Sequence, residues 1–196
     1  MEKTTLSKRQ LEIMQTAGKI LANHGVSGLT TKKLAAEIGF SESALYRHFS
    51  SKEEIIINML DFLAEDMKKR LSSIIDRSDA ESSFINLFNE QFRFFNANPY
   101  NVAAVFSEGL LEKSEAINKS ILNIMSVKRR LLKKLIEDGK KQDVFTQNLP
   151  TEQMVNIIIG TFRLLMFKWR VSNFSLNIIE EGTEMIDSLL ILIKNK

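Results

Sequence analysis

The sequence predicts an all-α protein, with an N-terminal three-helix head that carries a helix-turn-helix and a larger C-terminal helical bundle. Three observations carry that prediction. The 196 residues include only 8 Gly and 2 Pro, too few to punctuate a sheet protein with turns. Apolar residues recur at three- and four-residue spacing through most of the chain, the period of an amphipathic helix. Between Thr30 and Phe49, two short helical patterns flank Gly39-Phe40 in helix-turn-helix form.

The first helix opens at Ser7-Lys8-Arg9-Gln10, which has capping-box spacing, with Leu6 able to staple onto Leu11. It buries Met14, Ala17 and Leu21, with Ile13 and Ile20 beside them, and is predicted to stop at Asn23-His24-Gly25. Lys8 and Arg9 oppose the helix dipole, a placement that makes sense if a phosphate lies nearby. Thr30 or Thr31 caps the second helix, whose stripe is Leu34, Ala35 and Ile38. Gly39 ends it by accepting positive φ, and Ser41 caps the third. There Leu45 and Phe49 face inward at i, i+4. Glu42, Ser43, Tyr46, Arg47 and His48 are left for another surface, a composition that suits a major groove.

Ser50 and Ser51 each have a Glu three residues on, so a fourth helix starts there and runs to about residue 76. Phe84, Phe88, Phe92 and Phe95 then form an aromatic stripe closed by Asn98-Pro99. Further helices are expected over about 99–112, 114–142, 151–172 and 175–194. The stretch near 154–169 is apolar on nearly every side, which calls for burial on several faces. The last helix presents Met185, Ile186, Leu189, Leu190 and Ile193. Two such helices exceed the needs of one small bundle, and their natural use is a four-helix interface with a second copy, making a homodimer.

Composition narrows the classes further. With 44% hydrophobic and 26% charged residues, the chain falls among soluble globular proteins. The absence of Cys removes disulfides and thiolate metal sites, and agrees with a cytoplasmic location. No signal peptide is visible. The most apolar stretch, Met154 to Trp169, is interrupted by Asn156, Arg163 and Lys168, too short and too polar for a membrane span of about 18 residues. Residues 1–52 hold 8 Lys/Arg against 4 Asp/Glu and both His, while residues 53–196 hold 19 against 20. The basic excess thus sits on the segment suspected of meeting phosphates.

The pattern Thr31, Leu34-Ala35, Gly39, Leu45-Tyr46-Arg47-His48-Phe49 and Lys52-Glu53-Glu54-Ile55 resembles the N-terminal domain of the TetR family of bacterial transcription regulators. The match runs without a gap from about Leu11 to Leu60. A fainter echo lies at Trp169, Asn173-Phe174 and Glu180-Glu181-Gly182. The resemblance implies a DNA-binding domain over residues 1–52, and a domain over 53–196 for ligand binding and dimerisation. It further implies a ligand-responsive repressor that binds a palindromic operator as a homodimer. In such proteins a small molecule bound in the helical body changes the spacing of the two heads through the fourth helix.

Within that frame, Thr31, His48 and Lys52 are expected to meet phosphates, with Ser41 a cap first and a phosphate contact second. Lys32 is assigned to the backbone or a base edge, and Tyr46 to a phosphate or a base edge. Glu42 and Ser43 are the base-reading candidates, since a carboxylate accepts from cytosine's amine. A plain role for Glu42 as an acid at a helix start is equally consistent. Arg47 suits either guanine or the backbone. A ligand pocket is assigned to Phe84, Phe88, Phe92 and Phe106, with Arg163 either anchoring an anion or pairing across the dimer. The ligand is expected to be mostly apolar, such as a fatty acyl derivative or lipophilic drug. No cofactor or metal is expected. An enzyme is disfavoured because neither His lies in the body and no carboxylate pair has metal-ligand spacing. A helical adaptor without DNA binding is the remaining alternative.

Overall fold

The computed structural model describes residues 6–106, 110 and 114–195. Among these residues nine helices follow in order. They are α1 (Lys8–Gly28), α2 (Thr31–Ile38), α3 (Glu42–Leu45), α4 (Lys52–Ser72), α5 (Ala80–Ala97), α6 (Pro99–Val105), α7 (Glu115–Lys141), α8 (Thr151–Val171) and α9 (Ile178–Ile193). No strand occurs among the described residues; an isolated antiparallel bridge pairs Phe145 with Lys194. The chain is all-α. It divides into two compact units, residues 1–63 with 100–124 and residues 64–99 with 125–196. Of the expected helix over 99–112, residues 107–109, 111 and 112 lie outside the described residues.

The first unit is built on caps that were legible in the sequence. Ser7 and Gln10 close a reciprocal capping box at the start of α1. Ile13, Met14, Ala17, Ile20 and Leu21 form its buried face. Each Leu or Ile so covered contributes about 1.5–3 kcal/mol. The expected stop at Gly25 is instead a bend, with φ 66° and ψ −173°, and one more turn carries α1 to Gly28. Thr30, not Thr31, caps α2, its hydroxyl accepting from the Lys33 N–H at 3.1 Å. Gly39 adopts the left-handed conformation at φ 76°, and the Phe40 N–H returns to the Ala35 carbonyl at 2.8 Å. An L-residue with a side chain resists that geometry, so glycine is what allows so sharp a turn.

Ser41 caps α3 through the Ala44 N–H at 3.2 Å. The third helix was expected to reach His48, but its α-helical part ends at Leu45. Beyond that point the Arg47 and His48 N–H groups bond three residues back, to Ala44 and Leu45. The coil thus tightens while Leu45 and Phe49 both stay buried. Ser51 then caps α4, accepting from the Glu54 N–H at 3.0 Å. The Glu54 carboxylate in turn accepts from the Ser50 hydroxyl and N–H, each at 2.6 Å. Those two bonds hold its carboxyl below the usual range, the hydroxyl contributing more. This anchor is complete above the ordinary Glu pKa and is lost as pH falls through the lowered one.

In the second unit α5 starts at an Asp79 cap, its carboxylate accepting from the Ser82 N–H at 2.9 Å. Phe84, Phe88, Phe92 and Phe95 all lie on its buried face. The Phe162 ring of α8 packs against three of them, with centroids 5.8 Å from Phe88, 5.6 Å from Phe92 and 6.4 Å from Phe95. Gly182 lets α9 close on α5, because a Cβ at that position would collide with the Phe92 ring. Trp169 is core: its indole N–H donates to the Leu176 carbonyl at 3.1 Å and its ring meets Phe174 edge-on.

The expectation that the 154–169 helix is buried on several faces needs correction. One face of α8, from Met154 and Ile158 through Phe162 to Met166 and Trp169, is buried. The opposite stripe, Ile157, Leu164, Phe167 and Val171, is exposed on the protomer. Apolarity all round therefore reflects two different uses of one helix.

Candidate functional site

The helix-turn-helix brings eight of the nine nucleic-acid candidates onto α2, α3 and the residues flanking α3, and α2 packs on both α1 and α3. Lys32, Ser41, Glu42, Ser43, Tyr46 and Arg47 are exposed, and Thr31 and His48 are half-buried. Tyr46 is 51% exposed, so its ring does not close the small core. Because Thr30 takes the cap, the Thr31 hydroxyl is left to donate to the Glu42 carboxylate at 2.8 Å. That bond ties the start of α2 to the start of α3 and orients the carboxylate. Ser41 and Ser43 hydroxyls share a bond at 2.9 Å.

His48 has local partners. Its ring stacks on Phe40 with centroids 6.1 Å apart, and its carbonyl accepts from the Gln10 amide at 3.4 Å. The Arg9 guanidinium lies 5.0 Å from the Phe40 centroid and also pairs with Glu12. Contacts of this kind are worth about 0.5–1 kcal/mol at exposed sites. They fix the end of the recognition segment against the first turn of α1. Lys52, the ninth candidate, is half-buried at the first position of α4, beside N–H groups that favour an anion.

The pocket residues separate. Phe84, Phe88 and Phe92 are fully buried against one another in the second unit. Phe106 is half-buried and belongs to the first unit. Arg163 is exposed, on the side of α8 away from the phenylalanines. A surface cleft of about 200 Å³ between Ile75, Arg77, Leu131 and Leu135 involves none of them.

A basic side chain buried in this unit is Lys128 on α7. Its ammonium nitrogen sits 2.8 Å from the Phe162 centroid and 5.4 Å from that of Phe88. Among the described residues it has no hydrogen-bond partner, and the same is true of the Gln91 side-chain oxygen on α5. Burial pushes the Lys128 pKa well below the ordinary lysine value.

Comparison with known proteins decides the family. Residues 13–59 match the family described as bacterial regulatory proteins, tetR family, and residues 58–192 match the C-terminal region of YsiA-like proteins. The chain belongs to the TetR family. Among curated TetR relatives, the nucleoid occlusion factor SlmA of Vibrio cholerae is 28% identical over 160 residues, covering 78% of this chain and 81% of SlmA. The fatty acid degradation regulator FadR from Bacillus halodurans superposes with a TM-score of 0.85 at 20% identity, covering 96% of this chain and 97% of that one. FadR from Bacillus subtilis, solved in complex with stearoyl-CoA, gives 0.81 at 16%, covering 92% and 97%. At such identities the two structures establish the shared TetR fold. The protein is thus a DNA-binding transcription regulator of TetR type, and none of its described helices is long and apolar enough to cross a membrane.

Two features of this TetR protein escaped sequence reasoning, although a signal existed for each. Lys128 continues the buried stripe Ile117, Ile121 and Ile124 at a four-residue step, but the run Lys128-Arg129-Arg130 disguises it as a solvated charge. Gln91 lies between Phe88 and Phe92 on the buried face of α5, hidden by the aromatic pattern around it.

Proposed function

We propose that this TetR-family regulator is a cytoplasmic, ligand-responsive repressor that grips a palindromic operator as a homodimer. The observation that carries the reading is the outward row Glu42, Ser43, Tyr46 and Arg47, raised on a segment whose other side, Leu45 and Phe49, is locked into the core. Residues 1–52 act as the reading domain and residues 53–196 as the ligand and dimer domain. Thr31, Ser41, His48 and Lys52 hold phosphates, Lys32 the backbone or a base edge and Tyr46 a phosphate or a base edge, while Glu42 and Ser43 read base edges and Arg47 reaches guanine or the backbone. Of the twelve exposed large apolar side chains among the described residues, seven lie on α8 and α9, which supports pairing through those helices. The phenylalanine-lined second unit suits a mostly apolar effector, and the stearoyl-CoA complex of FadR from Bacillus subtilis is in keeping with a fatty acyl class. The effector acts by favouring a head spacing that does not fit the operator.

Selecting duplexes from a random pool tests this reading. The expected product is an inverted repeat whose half-site centres lie about 34–36 Å, one DNA turn, or a multiple of it apart. Recovery of isolated half-sites, or of no duplex at low salt, would overturn it. Lys52→Ala should weaken binding to every sequence alike and reduce the slope of log affinity against log salt by about one. A slope equal to the parent's removes Lys52 from the phosphate contacts.

A further inference from the structure

Lys128 is a buried amine without a hydrogen-bond partner among the described residues. It lies on the buried stripe of α7, 9% exposed, where its neighbours at the same depth are Ile, Val and Leu. Arg129 and Arg130, one and two residues on, both reach solvent, so a place for a cation on this turn was available outside. Arg129 and Lys133 share the Glu152 carboxylate across to α8. Among the described residues Lys128 shares no carboxylate, and its nitrogen lies against the faces of Phe162 and Phe88. An aromatic face attracts an ammonium but does not take its protons. A second polar atom, the Gln91 oxygen, is left without a partner on the buried face of α5 between Phe88 and Phe92. Uncompensated polar atoms are rare in an interior, and two set among the rings of one aromatic cluster call for an explanation.

We infer that this cluster receives an apolar molecule bearing one negative charge, a hydrocarbon carboxylate in class, with Lys128 as the counter-ion to its head. The inference rests on the ligand-responsive reading above and adds the chemistry of the head group. The hydrocarbon body is taken up among Phe88, Phe92, Phe162 and Met166, where the flexible thioether adapts to its shape. The head supplies the acceptor that Lys128 lacks. Burial alone lowers the amine's pKa, and an arriving anion opposes that shift by favouring the charged ammonium. Binding is therefore coupled to proton uptake by the Lys128 amine at pH values between its pKa in the free and in the bound protein, a signature that a purely apolar ligand does not produce.

Calorimetric titration of the full chain with dodecanoate and with 1-dodecanol, over a series of pH values in two buffers of different ionisation heat, tests this directly. Dodecanoate should bind at least about tenfold more tightly than the alcohol, the share expected of a charge-assisted bond. Its heat should differ between buffers in the sense of proton uptake, and the alcohol's should not. Lys128→Met, which keeps the length and loses the charge, should bind both probes alike. Equal affinities without proton uptake in the parent protein overturn the carboxylate inference and leave the apolar-ligand reading standing. Binding of neither probe overturns both. If Lys128→Met does not fold, the two-buffer comparison on the parent protein decides alone.

Discussion

Leu164→Glu is expected to convert the protein from dimer to monomer and to reduce affinity for a palindromic operator by about 10²- to 10⁴-fold, the gain that linking two binding modules provides. Leu164 is 67% exposed on the protomer, in the stripe that also holds Ile157, Phe167 and Val171. A carboxylate there harms nothing in the isolated fold. Across a two-fold axis, however, the same change enters twice, burying two unpaired like charges at a cost of several kcal/mol. Far-UV circular dichroism should show helix content unchanged, while light scattering at micromolar concentration reports the mass of one chain. A variant that remains dimeric would move the interface away from α8. Retained operator affinity in a proven monomer would instead show that a single head suffices.

How much of this was legible in the sequence divides along a physical line. The head was read closely because its signals are local. Ser7, Thr30, Ser41 and Ser51 each cap with their own hydroxyl, and Gly39 turns the chain where a left-handed residue is required. The misreadings in the head are ones of extent: Gly25 bends α1 without ending it, and α3 tightens after Leu45. In the body the same reasoning failed where a residue's partner lies far along the chain. Arg163 looked like the odd cation of a helix expected to be buried on several faces, with Leu164 and Phe167 among its apolar residues. They face outward, and Arg163 with them. Lys128 drew no attention in the sequence, because nothing local reveals that Phe162, thirty-four residues on, covers it. Periodicity finds a stripe; it does not say whether the stripe meets its own chain, a second copy or a ligand.

Phe162 is where those ambiguities converge, and Phe162→Ala should show it. The ring stands against Phe88, Phe92 and Phe95 on α5 and beneath the Lys128 nitrogen of α7, so three helices share one side chain. Truncating it removes those contacts and leaves a cavity that helices already in close contact cannot fill. The expected loss is about 3–5 kcal/mol, a large part of the roughly 5–15 kcal/mol that holds a domain of ordinary stability. Phe167, five residues along the same helix, is 49% exposed and supplies the control. Phe167→Ala should leave protomer stability within about 0.5 kcal/mol and act on dimerisation instead. Urea unfolding of both variants at one fixed protein concentration separates the effects, since dimer dissociation and unfolding are coupled. Equal losses for the two would mean that the inner and outer faces of α8 have been assigned wrongly. A large loss for Phe162 alone would establish that one helix builds the aromatic core with one face and leaves the other for a partner.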